Sequence, residues 1–316
     1  MKRFTLIIFL AILTSGCEER VIPDPVTDFQ KEMLSYLPAD TDFLIYINLD
    51  NLRSSKIWDK FFRESVAAYS RQEWLMDFET RTGVGLRTGV SDLFMASGWN
   101  QNNSFAIRFT TNFARIAEYF QTSFDRAGDP GKRIYKLKDD SPARFYFPND
   151  SLLLIFKNHE VLDGLISGTA HNLADDPDFI KIVEAVTVKD QYWIATDQSS
   201  YASAFFNALF PGEEDKQKLL TLINNISLSA DISDGAIIYS TWDCKTDEHA
   251  SKFSTLVRSA IALNLIGKRE PGLAGILDKI DISRYGKEVF ISISLTENDI
   301  SRLRDVFKDN KPWKNL

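Results

Sequence analysis

Between Glu288 and Phe307 the hydrophobic period of the chain changes from two to about 3.6 within a few residues, and this switch constrains the fold more than any other stretch. Val289, Ile291, Ile293 and Leu295 alternate with Glu288, Phe290, Ser292 and Ser294, as in a strand with one face more buried than the other. Thr296 then stands three residues before Asp299, an approximate capping box for a helix whose face is Ile300, Leu303 and Phe307. The unit of strand, polar cap and amphipathic helix can be read about six times along the chain. A body of that kind is α+β: a mainly antiparallel sheet with helices laid on it.

The earlier units follow the same rule. Phe43, Ile45, Ile47 and Leu49 form one side of a strand that Asp50 or Asn51 terminates by capping a helix, with Trp58, Phe62, Val66 and Tyr69 recurring after it. Leu93 to Gly98 and Phe105 to Phe109 read as strands joined across Trp99 to Asn103, and Phe113, Ile116, Ala117, Phe120 and Phe124 mark the next helix face. Arg133 to Lys138 returns as a strand, which completes the order of a ferredoxin-like sandwich. A hairpin over Arg144 to Phe147 and Leu152 to Lys157 follows, then a helix capped by Asn158 and stopped at Gly168.

The second half repeats the plan. A helix starts at Asp176-Pro177, and Tyr192 to Thr196 is a strand. Tyr201, Phe205, Ala208 and Leu209 mark a helix that breaks at Pro211-Gly212. Ile226, Leu228 and Ala230 share one face of a strand that Ser233-Asp234-Gly235 joins to Ala236 to Thr241. Phe253, Leu256, Val257, Ala260 and Leu263 face one way on a long helix ended by Gly267, and a short helix is expected over Pro271 to Ile280. The expectation is two ferredoxin-like-type repeats, 30–170 and 171–316, each with helices on one face of an antiparallel sheet. Periodicity leaves open whether the two sheets stay separate or join edge to edge, although joining would remove exposed edges.

The N-terminus reads as a processed leader: Lys2 and Arg3, the apolar run Phe4 to Leu13, then Thr14-Ser15-Gly16-Cys17. Ten apolar residues are too short to cross roughly 30 Å of hydrocarbon. The segment resembles a bacterial lipoprotein signal, with Thr14 where such signals usually carry leucine. That resemblance implies a signal peptide over 1–16 and lipidation of Cys17. Residues 17–29, with Pro23 and Pro25, read as a semi-extended tether. The remaining cysteine, Cys244, has no partner for an intramolecular disulfide in the mature form and reads as a buried small apolar group.

Charge excludes one class of function. Without Lys2 and Arg3 the chain has 35 basic against 44 acidic side chains, a net charge of -9, and no dense basic cluster that could neutralise nucleic-acid phosphates. The leader, the Pro38-Ala39-Asp40-Thr41 start running to Leu52, and the stretch Asp231 to Arg258 together resemble bacterial envelope lipoproteins of a domain-of-unknown-function type. The resemblance implies an exported protein and supplies no catalytic positions.

Few residues carry a pattern that points to chemistry. His159, His171 and His249 lie apart from one another and from cysteine at any metal-like spacing, so no metal site is expected. Gly83 to Gly89 lacks the order of a phosphate-binding loop and reads as a flexible connection. Asp175, Asp176 and Asp178, like Glu213, Glu214 and Asp215, are better explained as helix starts than as ligand or catalytic clusters. Most of the 23 phenylalanines, 10 tyrosines and 6 tryptophans fall on core faces, whereas Trp74, Trp99 and Trp313 fall in or near irregular segments and read as loop anchors. No cofactor is implied.

The reading from sequence is a non-catalytic envelope protein, lipid-anchored at Cys17 with its folded body outside the cytoplasm, that binds or scaffolds a protein partner. The alternative is a carrier of a hydrophobic small molecule between the two halves. An unrecognised hydrolase with dispersed residues ranks third.

Overall fold

The computed structural model describes residues 22–58, 73–98, 103–110, 113–139, 141–202, 206, 213–266 and 275–309. The leader, Cys17, Phe62, Val66, Tyr69, Trp99, Phe205, Ala208, Leu209, Pro211, Gly212, Gly267, Pro271 and Trp313 lie outside those residues, as do the side chains of Trp74, Glu213, Glu214, Asp215 and Phe307.

The chain enters the body earlier than the expected end of the tether. The Asp24 amide donates to the Thr187 carbonyl at 3.0 Å, and Thr27 and Gln30 form a reciprocal capping box for helix α1, Asp28–Leu34. Lys189 is buried where this segment docks. Its ammonium donates to the carbonyls of Asp24, Glu184 and Val186, while its amide donates to the Asp24 carboxylate at 3.1 Å. Residues 24–29 are therefore part of the fold, held by polar groups that the proline-rich composition did not reveal.

Twelve strands join one antiparallel sheet among the described residues. The first half supplies β1 Phe43–Asn48, β2 Val90–Ser97, β3 Asn103–Phe109, β4 Asp125–Arg126, β5 Ile134–Lys136, β6 Arg144–Asn149 and β7 Leu152–Phe156. The second supplies β8 Tyr192–Thr196, β9 Ile223–Asp231, β10 Ala236–Cys244, β11 Ile280–Tyr285 and β12 Glu288–Leu295. Spatial order is β11-β12-β10-β9-β8-β1-β2-β3-β7-β6-β5-β4. Outward from the centre, β1-β2-β3-β7-β6 thus has the same order as β8-β9-β10-β12-β11. The question left open by periodicity is answered at β1 and β8, which pair antiparallel with Ile45 opposite Ile194 and Tyr46 opposite Trp193. The halves share one sheet.

The helices are α2 Leu49–Ser54, α3 Glu73–Thr82, α4 Phe113–Ser123, α5 His159–Ser167, α6 Pro177–Glu184, α7 Glu213–Leu220, α8 Asp247–Ile266 and α9 Glu297–Asp309. In the second half, α8 packs Phe253, Val257 and Ala260 on Trp242, Val289 and Ile291, the one-face layer expected. The first half receives a layer on each side. On the first face, α1, α5 and α6 bury Leu34, Leu162 and Val183 against Leu44, Phe94, Phe156 and Trp193. On the second face, α2 and α4 bury Leu52, Ile116 and Phe120 against Phe109, Phe147 and Leu153. Because successive strand residues point to opposite sides, an uninterrupted apolar run such as Leu152-Leu153-Leu154 feeds both layers.

Several details differ from the sequence reading. β11 occupies residues left unassigned between the short helix expected over Pro271 to Ile280, of which residues 275–277 are helical, and the closing strand. Its signals are the alternation of Ile280 and Ile282 and the positive φ of Gly286 in the turn to β12. On α8, Leu256 and Leu263 share the spacing of the buried residues yet are 44% and 69% exposed. Gly83 to Gly89 is a tight turn, not a loose connection: Gly85 and Thr88 exchange backbone hydrogen bonds of 2.7 and 3.0 Å, and Arg53 donates to the Leu86 and Val90 carbonyls. The Asp-Gly hairpin is as expected, and Gly235 is required there because a Cβ would stand 2.5 Å from the Leu295 carbonyl oxygen.

Both sheet edges are guarded. β4 is two residues long, and on β11 the Arg258 guanidinium from α8 occupies the Ile282 carbonyl.

Candidate functional site

The junction between the halves carries an apolar band. On the second face of the sheet, Phe105, Met95, Ile45, Ile194 and Leu228 stand side by side in register on β3, β2, β1, β8 and β9. With strands about 4.8 Å apart, the row spans about 19 Å. Phe43 and Leu93 flank it on the same face. All seven side chains are half-buried, and among the described residues they pack against none of the buried clusters to either side. The band lies between the helix layer that covers β6 and β7 and the layer that covers β10 and β12.

The two long sides of the band differ. On one side Phe43 stacks on Tyr201, centroids 4.4 Å apart, and the Asp197 carboxyl is pushed up by burial and then by nearby Asp42. An anionic head group gains nothing there. On the other side Ile47 and Tyr192 pair and join the first-half core, and burial raises the Tyr192 phenol to about 12.

Among the described residues, cavities of about 690 Å³ each, within the usual size range of ligand pockets, lie at two other places. An apolar groove between α7 and α8 is lined by Leu219, Leu222 and Leu256 together with Lys218, Lys252, Ser251 and Thr255. A polar cleft separates α6 from the ends of β9, β10 and β12. In it the Asp243 carboxylate accepts from Asn224 and Asn225, both at 3.2 Å, and pairs with Lys287 at 2.9 Å.

The charged cluster on the first face is structural. Tyr46 donates to Asp92 at 2.7 Å, Arg108 pairs with the other Asp92 oxygen at 3.1 Å, and the Arg108 guanidinium lies over the Phe29 ring. Burial, and next the Asp92 charge, raise the Tyr46 phenol so far that it stays protonated. These groups hold α1 to the sheet and face no cavity described above.

The residues considered from sequence are not brought together. His159 stands at the start of α5, His249 in the first turns of α8, and the His171 carbonyl accepts from Ala39. No group of three His, Cys, Asp or Glu among the described residues is arranged to hold a metal ion. Asp176 caps α6 through the Asp178 and Phe179 amides, Asp175 accepts from Asn172, and Asp178 pairs with Lys181. Cys244 is buried, and desolvation followed by the Asp243 charge pushes its thiol up to about 12. No helix among the described residues is long and apolar enough to cross a membrane.

The band itself escaped the sequence reading, which took Phe43, Ile45 and Ile47 only as one alternating side of a strand. Alternation tells which residues share a face. It does not tell what lies over that face.

No protein-family model matches the chain. No curated protein matches it. Among solved structures it is similar to TP0453 in crystal form III, with a TM-score of 0.51 and 10% identity, over 87% of this chain and 97% of that one. Crystal form IV of TP0453 gives a TM-score of 0.49 and 9% identity, over 86% of this chain and 95% of that one. The form III likeness is one of fold: a mixed α and β architecture extending over nearly the whole chain.

Proposed function

We propose that this protein is a non-catalytic binding protein of the bacterial envelope, held at a membrane by lipid on Cys17, and that its body carries a hydrophobic small molecule on the band at the junction of its halves. One observation carries the binding reading: the in-register row Phe105, Met95, Ile45, Ile194 and Leu228, half-buried between two packed helix layers. Apolar side chains so placed gain about 25 cal/mol for each Å² removed from water, and an elongated hydrocarbon matches the row in length and chemistry. The lipid anchor rests on the Thr14-Ser15-Gly16-Cys17 sequence.

Native mass spectrometry after gentle purification, with titration of a fluorescent long-chain alcohol, tests the carrier reading. Saturable binding is expected, and Met95→Glu with Ile194→Glu should abolish it. Failure to recover any lipid-sized mass, together with no saturable titration, removes this reading. For the anchor, labelling with a radioactive fatty acid should mark the wild type and not Cys17→Ala; equal labelling removes it.

A protein partner is the second reading, supported by Leu256 and Leu263 on the outer side of α8 beside the apolar groove. Leu256→Lys with Leu263→Lys would then abolish co-purification of a partner while leaving the fluorescent alcohol bound.

A further inference from the structure

The N-terminal segment joins the body at a tightly held point. The Asp24 amide donates to the Thr187 carbonyl at 3.0 Å, its carboxylate accepts from the Lys189 amide at 3.1 Å, and its carbonyl accepts from the Lys189 ammonium. That ammonium also donates to the Glu184 and Val186 carbonyls, which ties Asp24 to the C-terminal end of α6. Ile22, two residues earlier, is 85% exposed. Between them, Pro23 lines the polar cleft together with Thr241 and Asp243, and the Thr241 hydroxyl donates to the Ala185 carbonyl at the same helix end. Thr241 and Asp243 point to the first face, because Trp242 between them is buried under α8 on the second. The segment that leads back to Cys17 therefore leaves over the first face of the second half.

That exit limits how the body can stand on a membrane. From Cys17 to Pro23 is six residues, which reach at most about 21 Å in any conformation. For α8 to face the bilayer, the segment would have to run about 10 Å along β10 from Thr241 to the strand end, then about 25 Å past the sheet and a helix layer. It is too short. With the first face turned to the bilayer, the same six residues suffice. Charge near the exit supplies no adhesion of its own: Lys181 pairs with Asp178 at 2.8 Å and Lys287 with Asp243 at 2.9 Å, and Glu184 and Glu288 leave the cleft acidic. The length and exit of the segment, rather than attraction to lipid, then set the orientation.

We infer that the protein stands with the first face of its second half against the phospholipid surface that receives its anchor, so that the hydrophobic band, on the other face, opens away from that membrane. The inference rests on the lipidation of Cys17 proposed above. The acylated full chain is placed in phosphatidylcholine vesicles whose head groups carry a fluorescent acceptor, with a donor dye at Asp178→Cys beside the exit or at Leu263→Cys on α8. Both positions are exposed, and the buried Cys244 does not compete for dye. A helix layer on each side of the sheet separates the two positions by about 20 Å, so energy transfer should be at least about twofold stronger from Asp178→Cys. Twelve Gly-Ser residues inserted before Val21, about 19 Å of flexible chain, should remove most of that difference. Cys17→Ala in the same background should give no transfer. Equal transfer from both positions, stronger transfer from Leu263→Cys, a difference unchanged by the insertion, or transfer retained in Cys17→Ala would each overturn the orientation. No transfer from either position in the wild-type background would mean that the anchor itself has failed, and the orientation with it.

Discussion

Trp193 and Tyr239 point to the same face of the same sheet, two strands apart, and their surroundings are opposite. Trp193 is fully buried under α6 among Tyr46, Phe94 and Val183, whereas Tyr239 is half-buried on a surface of serine, threonine and carboxylate side chains. The strands are laid down in the same order in both halves, so sheet topology does not set this difference. It comes from the overlay: α1, α5 and α6 cover the first face over the first half, β8 and the buried Ser227 and Ser229 of β9, while the alternation of serine with isoleucine on β12 gives a helix nothing apolar to cover there. One scaffold built twice thus yields a core on one side of the junction and a polar surface on the other.

The largest effect that tests this contrast is the removal of a ring from each region. Phe94→Ala empties a fully buried site in contact with Phe29, Tyr46 and Trp193 and should cost about 3–5 kcal/mol in urea unfolding. Phe290→Ala, on the same face in the second half, should cost less than about 1.5 kcal/mol, since a half-exposed ring loses little burial. Equal costs would mean that the second-half surface is covered, and the contrast would fall.

Next in size is Asp92→Ala. Tyr46 and Arg108 would lose their shared acceptor under α1, at an expected cost of about 2–3 kcal/mol. Tyr46→Phe in the same background should recover part of it, because the hydroxyl left without an acceptor is then absent. The second half has no comparable buried pair on this face among the described residues, and Asp243→Asn should cost less than about 1 kcal/mol because Lys287 remains half-exposed to water.

Much of this contrast could be read before folding. Val289, Ile291 and Ile293 against Phe290, Ser292 and Ser294 identify one greasy and one polar side of β12, and Asp176-Pro177, Asn158, Gly168 and Asp234-Gly235 act where local chemistry places them. What escaped depends on distant partners. Tyr46 and Ile45 alternate like any strand pair, and nothing local says that Tyr46 meets Asp92 and Phe94 under a helix while Ile45 stays half-covered at the junction. Likewise Leu256 and Leu263 keep the spacing of Phe253 and Val257, but α8 is broader in apolar residues than the sheet beneath it can bury. β11 was hidden because Asp281, Ser283 and Arg284 leave Ile280 and Ile282 as its main apolar signal.

The smallest effect separates the helices that close the two halves. After β7, Asn158 caps α5 with an uncharged side chain, its Oδ1 accepting from the Glu160 amide at 3.0 Å. After β12, Thr296 accepts from the Asp299 amide, while the Asp299 carboxylate accepts from the Thr296 amide and hydroxyl and pairs with Lys279. The Lys279 contact first, and the Thr296 hydrogen bonds next, lower Asp299 to about 2 from its ordinary value near 3.8. A carboxyl that ionises more readily folded than unfolded stabilises the fold fully above its unfolded pKa, and that contribution is lost as pH falls through the folded value. Hydrogen exchange of α9 should therefore accelerate between about pH 4 and about pH 2 more than that of α5, whose cap does not titrate. Thr296→Ala should cost about 1 kcal/mol at neutral pH. Asp299→Asn should flatten the acid dependence of α9 without touching α5, because the charge that distinguishes the two caps is then gone. If α5 and α9 lose protection together at low pH, the halves unfold as one cooperative sheet, and the difference between them is confined to their surfaces.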